Sequence, residues 1–399
     1  MLRNKNILLG VCGSIAAYKS ALIVRLLIKA GANVRVVLTS DAANFITPLT
    51  LATLSKNPVY TKYFEEETGV WSNHVELGLW ADYMIIAPAS ANTIGKMANG
   101  LCDNLLSAVY LSAKCPVFFA PAMDLDMWKH ESTRSNIKQL AAFGNIMISP
   151  NSGELASGLH GEGRMAEPEE IVAYLLATIK QGLPLAGIKV MVTAGPTYEP
   201  IDPVRFIGNH SSGKMGFAIA DQLAVLGAEV TLISGPTTEI SKQSVSRINV
   251  TTAADMLQAC ENNFSASIIT VMSAAVADYT PVQVAAKKIK KKEESFTIEL
   301  KKTTDILVTL GQRKKPEQIL VGFALETDNE EENAKSKLSR KNLDLIILNS
   351  LQDEGAGFQK DTNKITIFNR AQEKREYPIK SKIEVAKDIC TEILKLYQD

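Results

Sequence analysis

Residues Val192–Gly216 read VTAGPTYEPIDPVRFIGNHSSGKMG. The short apolar run Val190-Met191-Val192 enters this stretch, and an amphipathic segment from Phe217 to Leu226 leaves it. Between them lies a loop of Gly, Pro, Ser, Asn and Lys. A strand that feeds a helix through such a loop aims backbone N–H groups and the helix dipole at one point, which suits a phosphate. Gly213 and Gly216 permit close backbone approach, and Lys214 adds a point charge. The loop is far longer than an ordinary strand–helix connection, and long loops in compact domains are functional or disordered. Disorder is disfavoured because an apolar strand and a helix clamp both ends.

Working outward, the same pattern occurs earlier in the chain. Asn6-Ile-Leu-Leu-Gly10 leads into a glycine turn, a helix over Ile15–Lys29, then Gly31-Ala-Asn-Val and a second strand ending at Thr39-Ser40. Downstream, Lys189–Gly195 leads through the long loop to helix Phe217–Leu226, then Gly227-Ala-Glu-Val and a strand ending at Gly235. Each copy opens a βαβ unit, which implies a parallel sheet. Apolar runs at 83–87, 117–120 and 146–149 read as buried strands of the first half; those at 268–272, 319–323 and 345–348 serve the second. Lys364–Phe368 alternates as a hairpin strand does, and Val385–Tyr397 reads as a closing helix. A Gly/Pro break, Gln181–Gly187, follows the amphipathic helix Glu169–Lys180 and places the boundary, giving domains 1–183 and 184–399. The fold class is therefore α/β, with two doubly wound, mostly parallel Rossmann-like domains.

The 399 residues are 46% hydrophobic and 22% charged with zero formal net charge, so nothing in the balance calls for nucleic acid or a membrane surface. The N-terminal apolar stretch is too short to span a bilayer and reads as a buried strand rather than a signal peptide. Five cysteines are scattered without a CxxC pair and four histidines are dispersed, which argues against a disulfide framework or a zinc site and fits a reducing cytoplasm.

Ligands of such sheets sit at the strand ends. In the first half these are Gly13-Ser14, Thr39-Ser40-Asp41, Ala87–Asn92 and Ala120–Asp124, all small or polar, and none is a GxGxxG loop. Together they suit a phosphorylated planar cofactor, FMN rather than NAD. His74 reads as a histidine satisfied at an element end or as a general base. His160 and Arg164 lie in a glycine-rich segment, 153–165, that reads as a flexible lid or a linker. In the second half Lys287–Lys292 is a dense basic run. Such a run is commonly a solvated face, but beside a phosphate loop it can close over a triphosphate. Asp278 could hold Mg²⁺ through water. Phe323 could stack on a base or fill a core.

These motifs match a known family over nearly the whole chain. Asp202–Gly216, Ala274–Asp278, Lys288–Lys291, Gly322–Thr327 and Lys337–Lys341 resemble the ligase half of the bifunctional bacterial coenzyme A biosynthesis flavoproteins. In these proteins phosphopantothenate–cysteine ligase is fused to phosphopantothenoylcysteine decarboxylase. Gly13–Lys19, His74, Pro88–Thr93, Pro121–Trp128 and Gly161–Met165 resemble the decarboxylase half. The resemblance implies a flavodoxin-like flavoprotein domain followed by a Rossmann-like ligase domain. The ligase would activate phosphopantothenate with CTP and Mg²⁺ as an acyl-cytidylate, which the cysteine amine attacks. It implies catalytic roles for Asn209 and Lys288. It also implies a nucleotide site at Ser273, Ala274, Ala275, Asp278 (also the metal contact), Lys288, Thr304, Asp305, Ile306, Leu307, Phe323, Lys337 and Lys341. Substrate contacts would come from Asn209, His210, Arg205 and Arg164. FMN would be held by Gly13, Ser14, Ser40, Ser90, Asn92, Thr93 and Met123. The decarboxylase would oxidise the cysteinyl thiol, lose CO₂ and reduce the resulting ene-thiol, with His74, Asp124 and Ser157 catalytic. A trimer-based homo-oligomer with dimeric ligase domains is implied as well.

Two positions depart from the family pattern. It has Asn where this chain has Asp124, and a lid Cys where this chain has Ser157. An ionised Asp124 would repel the substrate carboxylate, and a serine is a poor acid. A protonated Asp124 could instead donate a hydrogen bond and supply the proton. The alternatives are a ligase whose first half only binds flavin and holds the oligomer together, and a non-catalytic regulatory flavoprotein.

Overall fold

The computed structural model describes residues 2, 4–64, 69, 71–290, 297–326, 328–350 and 361–398, with side chains at 326 and 350 excluded. Lys291, Lys292 and Thr327 of the motifs above lie outside the described residues. The chain forms two compact units, Met1–Ile179 and Lys180–Asp399.

The first unit carries six parallel strands: β1 (Asn6–Val11), β2 (Asn33–Leu38), β3 (Val59–Tyr60), β4 (Tyr83–Ala89), β5 (Val117–Pro121) and β6 (Ile146–Met147), in the order β3-β2-β1-β4-β5-β6. The order reverses between β1 and β4, so their C-terminal ends open a crevice. The central strands are buried along nearly their whole length, because helices cover both faces. Those helices are α1 (Ser20–Lys29), α2 (Pro48–Ser55), α3 (His74–Trp80), α4 (Ala91–Asn99), α5 (Leu105–Ser112), α6 (Leu125–Lys129), α7 (Glu131–Ala142) and α8 (Pro168–Gln181). Ile15–Lys19 forms a 3₁₀ turn rather than the first turn of a continuous helix; Ser14 caps it, and Ser20 Oγ donates to Ala17 O at 2.6 Å. The glycine-rich segment is an antiparallel hairpin, β7 (Asn151–Glu154) with β8 (His160–Arg164), rather than a flexible connection. It is docked on the strand ends: Met123 N donates to Gly163 O at 3.0 Å and Trp128 Nε1 to Glu162 at 3.0 Å.

The second unit has an eight-stranded sheet. Its strands are β9 (Lys189–Ala194), β12 (Glu229–Ser234), β13 (Ser246–Asn249), β14 (Ile269–Met272), β17 (Ile319–Glu326), β18 (Leu345–Ser350), β19 (Thr362–Asn369) and β20 (Lys374–Ser381), in the order β13-β12-β9-β14-β17-β18-β19-β20. Six strands run parallel, and β18, β19 and β20 meet antiparallel at one edge. The short pairs β10 (Tyr198–Pro200) with β11 (Phe206–Gly208), and β15 (Tyr279–Pro281) with β16 (Leu300–Lys302), lie in the loops above. Helices α9 (Lys214–Val225), α10 (Ala253–Phe264), α11 (Ile306–Arg313), α12 (Glu330–Arg340) and α13 (Lys382–Gln398) complete it. The order again reverses between β9 and β14, and the long loop after β9 sits at that point. Helix α9 begins at Lys214, three residues before the expected start, because Gly213 in a left-handed conformation caps it. The chain is thus α/β in both units, each with a doubly wound, mostly parallel sheet whose parallel strands take the Rossmann order 3-2-1-4-5-6, rather than the flavodoxin order for the first. Among the described residues no helix is long and apolar enough to cross a membrane.

Candidate functional site

Strand ends β1, β2, β4 and β5 bring Gly13, Ser14, Ser40, Ser90, Asn92, Thr93 and Met123 onto the wall of one cavity of about 300 Å³. Local chemistry explains the arrangement. Ser90 caps α4 by accepting from Thr93 N at 3.3 Å, and Thr39 Oγ1 accepts from Gly13 N at 3.2 Å. A Cβ at Gly13 would lie 2.5 Å from Asp41 Cβ, so only glycine lets β1 and β2 close there. Thr39, Asp41, Lys96 and Asn104 share this wall but escaped the sequence reading. Thr39 and Asp41 stood in a quoted strand end without being singled out. Lys96 lies a full turn inside α4 and Asn104 caps α5, where nothing local points to a ligand. Lys96 bonds Asp103 at 2.7 Å and holds that carboxyl below its ordinary range.

A second cavity of about 460 Å³ adjoins the first, since Ser14, Ala122 and Met123 belong to both. It is lined further by Asp124, Arg164, Lys19 and the hairpin residues Glu154, Leu155 and Ala156. Arg164 Nη2 and the buried Lys19 Nζ both bond Glu167 Oε1 at 2.9 Å. Lys19 foremost, with Arg164 behind it, holds the Glu167 carboxyl below its ordinary range. Asp124 caps α6, its Oδ1 accepting from Leu125 N at 2.6 Å. Ser157 lies exposed at the hairpin tip, one residue beyond the cavity wall, where its Oγ accepts from Leu159 N at 3.4 Å. His160 is exposed on β8. His74 lines neither cavity. It opens α3 with its ring edge-on to Tyr63 and Trp71, and its Nδ1 is buried without a hydrogen-bond partner among the described residues. A buried polar atom left unpaired is costly unless a ligand or catalytic role uses it.

In the second unit one cleft is lined by Ser211–Gly216, Ser273, Ala274, Ala275 and Phe323, together with Asn349, Asn363 and Lys382. Asn209 Nδ2 donates to Ala275 O at 3.0 Å and Val276 O at 3.2 Å, tying the loop to the end of β14. His210 is exposed in the same loop. Thr303 N donates to Asp278 O at 2.9 Å, which sets the Thr304–Leu307 turn beside the exposed Asp278. Asp305 caps α11 and pairs with Lys341 at 2.7 Å. Ile306 is buried beneath the turn, and a Cβ at Gly322 would meet Leu307 at 2.9 Å, so the turn packs against the strand carrying Phe323. Lys337 lies on α12, four residues before Lys341.

Arg205 is placed otherwise than a free substrate contact would be. Its guanidinium bonds Asp202 through Nε and Nη2 and donates to Ile289 O at 3.0 Å, while Ile289 N donates to the same carboxylate at 3.1 Å. Asp202 and Arg205 therefore pin the exposed Lys288 segment. The Arg205 guanidinium and three backbone N–H groups hold the Asp202 carboxyl well below the usual carboxylate range.

The flavoprotein family model matches residues 1–180, and the model of the DNA/pantothenate metabolism flavoprotein C-terminal domain matches residues 185–397. The chain is 47% identical over 399 residues to the coenzyme A biosynthesis bifunctional protein CoaBC of Bacillus subtilis, covering 99% of this chain and 98% of that one. It is 55% identical over 356 residues to a cysteine/cysteine sulfinic acid decarboxylase of an unknown prokaryotic organism, covering 88% of this chain and 99% of that one. A crystal structure of the C-terminal domain of a CoaBC protein is 41% identical with a TM-score of 0.47, covering 55% of this chain and all of that one. The chain belongs to the bifunctional coenzyme A biosynthesis flavoproteins, enzymes that join an FMN-dependent decarboxylase to a ligase.

Proposed function

We propose that the second unit couples cysteine to phosphopantothenate at the expense of CTP, and that the first decarboxylates the product, phosphopantothenoylcysteine. The observation that carries the ligase reading is the convergence of the Ser211–Gly216 loop with Ser273–Ala275 and Phe323 on one cleft. Backbone N–H groups of the loop and the start of α9 would receive the triphosphate. The Thr304–Leu307 turn and Phe323 would read cytosine. Asp278 is an exposed carboxylate available to a hydrated Mg²⁺, which needs few protein ligands when phosphates supply the rest. Asn209 keeps its Oδ1 free of hydrogen bonds among the described residues and would orient the activated carboxyl.

In the first unit the polar strand ends fit FMN. Hydroxyls of Ser14, Ser40, Ser90 and Thr93 with the Asn92 amide would hold its phosphate and ribityl chain, and Lys96 would offset charge. Bound there, the flavin supplies a two-electron acceptor for the substrate thiol. Arg164 would orient the departing carboxylate, and the docked hairpin would cover one side of it. Assembly into a homo-oligomer built on trimers and a cytoplasmic location complete the proposal.

A second reading of the first unit rests on Asp124. Its Oδ1 accepts from Leu125 N, and its Oδ2 has no partner among the described residues and is left for a ligand. An acceptor carboxylate beside Arg164 and Lys19 suits a free amino acid, whose ammonium would meet Asp124 while its carboxylate meets the cations. The relative that is 55% identical bears the name of a decarboxylase of such amino acids. One experiment separates the readings. Purified enzyme is given free cysteine, or phosphopantothenate, cysteine and CTP, and CO₂ and pyrophosphate are measured. Pyrophosphate with CTP and CO₂ only from the coupled mixture supports the first reading. CO₂ from free cysteine alone supports the second. A preparation without flavin that takes up no FMN refutes both for the first unit.

A further inference from the structure

Lys382 is 9% exposed, lies at the first position of α13 and lines the ligase cleft opposite the Ser211–Gly216 loop. Three features make its position costly. Its side chain is nine-tenths buried, yet its Nζ, which reaches the cleft, has no hydrogen-bond or salt-bridge partner among the described residues, and partial desolvation of an unpaired cation is unfavourable. A positive charge at a helix N-terminus opposes the helix dipole. Its neighbour Lys214 has already claimed the nearest carboxylate, Asp361, at 2.7 Å. Burial foremost, then the Lys214 charge, lowers the Lys382 pKa from its ordinary value despite the fields of Asp361 and Glu239.

The stem packs, but nothing requires a charge at its end, because α13 is anchored by Val385, Ala386, Ile389 and Ile393, which are buried in the core of the unit. Local rules broken without structural gain mark functional positions. The missing partner is an anion. The cleft offers it the Ser211 and Ser212 hydroxyls, the N–H groups opening α9, and the Asn349 amide, whose Oδ1 accepts from Asn363 Nδ2 at 3.1 Å and so turns its own N–H groups elsewhere. Such a donor set around a lysine matches a phosphoryl group rather than a carboxylate, which has fewer acceptor positions.

We propose that Lys382 binds a phosphoryl group held over the Ser212–Lys214 turn in the ligase cleft. The inference rests on the ligase reading above and adds a residue that no sequence motif marks. Two phosphorylated ligands could supply the group: the nucleotide triphosphate, or the terminal phosphate of phosphopantothenate.

The test uses the full-length chain with Lys382→Gln and Lys382→Arg. Pyrophosphate release gives KM for CTP and for phosphopantothenate separately. Lys382→Gln should raise one of these KM values about tenfold or more, the loss expected of one charge-assisted contact, with a smaller change in kcat. Lys382→Arg should recover most of it. A rise confined to CTP, with loss of the thermal stabilisation given by inorganic tripolyphosphate, assigns the triphosphate. A rise confined to phosphopantothenate assigns the other source. Without ligand, Lys382→Gln should unfold at the same or a higher temperature than wild type, because a charge opposed by Lys214 and by the dipole of α13 is removed. Unchanged KM values in a folded Lys382→Gln protein, or a lowered unfolding temperature with unchanged KM, overturn the proposal. A wild-type protein that releases no pyrophosphate refutes the ligase reading instead. Tripolyphosphate and inorganic phosphate titrations then still decide whether Lys382 holds the anion.

Discussion

At the scale of single residues, the most consequential contacts are those that aim a group rather than supply it. Asp202 is the hub of one such set, with the Arg205 side chain on one side and Ile289 N on the other. Its folded pKa is depressed, so its contribution to stability is present above the unfolded carboxylate value of about 4 and is lost as pH falls through the folded value. Urea unfolding at descending pH should show wild type weakening below about pH 4. Asp202→Asn should start less stable at pH 7 and show a shallower acid slope. An unchanged slope would mean that the clamp does not persist in solution. The residue it steadies, Lys288, is exposed and has no ion pair among the described residues. Replacing it with Gln should lower the ligase rate by about a hundredfold or more, as loss of one preorganised charge at a transferring phosphate does. Release of CO₂ by the first unit should be unaffected. A near-normal pyrophosphate rate would show the lysine run to be only a solvated face.

At the scale of elements, the two strand–loop–helix units depend on close approach of helix to strand. Gly216, in the first turn of α9, sits where an added Cβ would lie 2.6 Å from Ala194 Cβ and 3.0 Å from Thr193 O. Neither neighbour is the end of a flexible chain, so Gly216→Ala should cost about 1–3 kcal/mol and be read as a lowered urea midpoint. A neutral result would show that α9 can slide. These elements were legible in the sequence because strand, glycine loop and helix follow one another within a few tens of residues, each with its own period. What was not legible has a common cause. Asn349, Asn363 and Lys382 reach the ligase cleft from β18, β19 and α13, separated along the chain from the loop they face. Lys96 and Asn104 reach the first unit's cavity from helix positions that no turn chemistry marks. The hairpin at 151–164 reads as a flexible segment because its glycines hide the alternation that would show a strand. The pairing of Arg205 with Asp202, three residues away, was equally hidden, because a turn that folds a carboxylate back onto a guanidinium leaves no periodic signal.

At the scale of the whole molecule, each unit carries its own core. Phe118, Phe119 and Leu9 are fully buried in the first, and Val192, Val321 and Phe368 in the second. Cores drawn from separate stretches of chain permit independent folding. A protein comprising residues 184–399 should therefore be soluble and release pyrophosphate with CTP at a rate within a few-fold of the full chain. An aggregated or inactive product, with the full chain active, would show that the ligase requires the first unit. Within the first unit, Ser14, Ala122 and Met123 are walls of both cavities. These shared walls give each cavity a physical route to the occupancy of the other. Whatever factor the substrate adds to flavin affinity, the flavin must return to the substrate, because the two bindings close one thermodynamic cycle. Flavin retention during dialysis would then report on substrates without any turnover: the molecule that best slows the loss of colour is the one that the second cavity was shaped to hold.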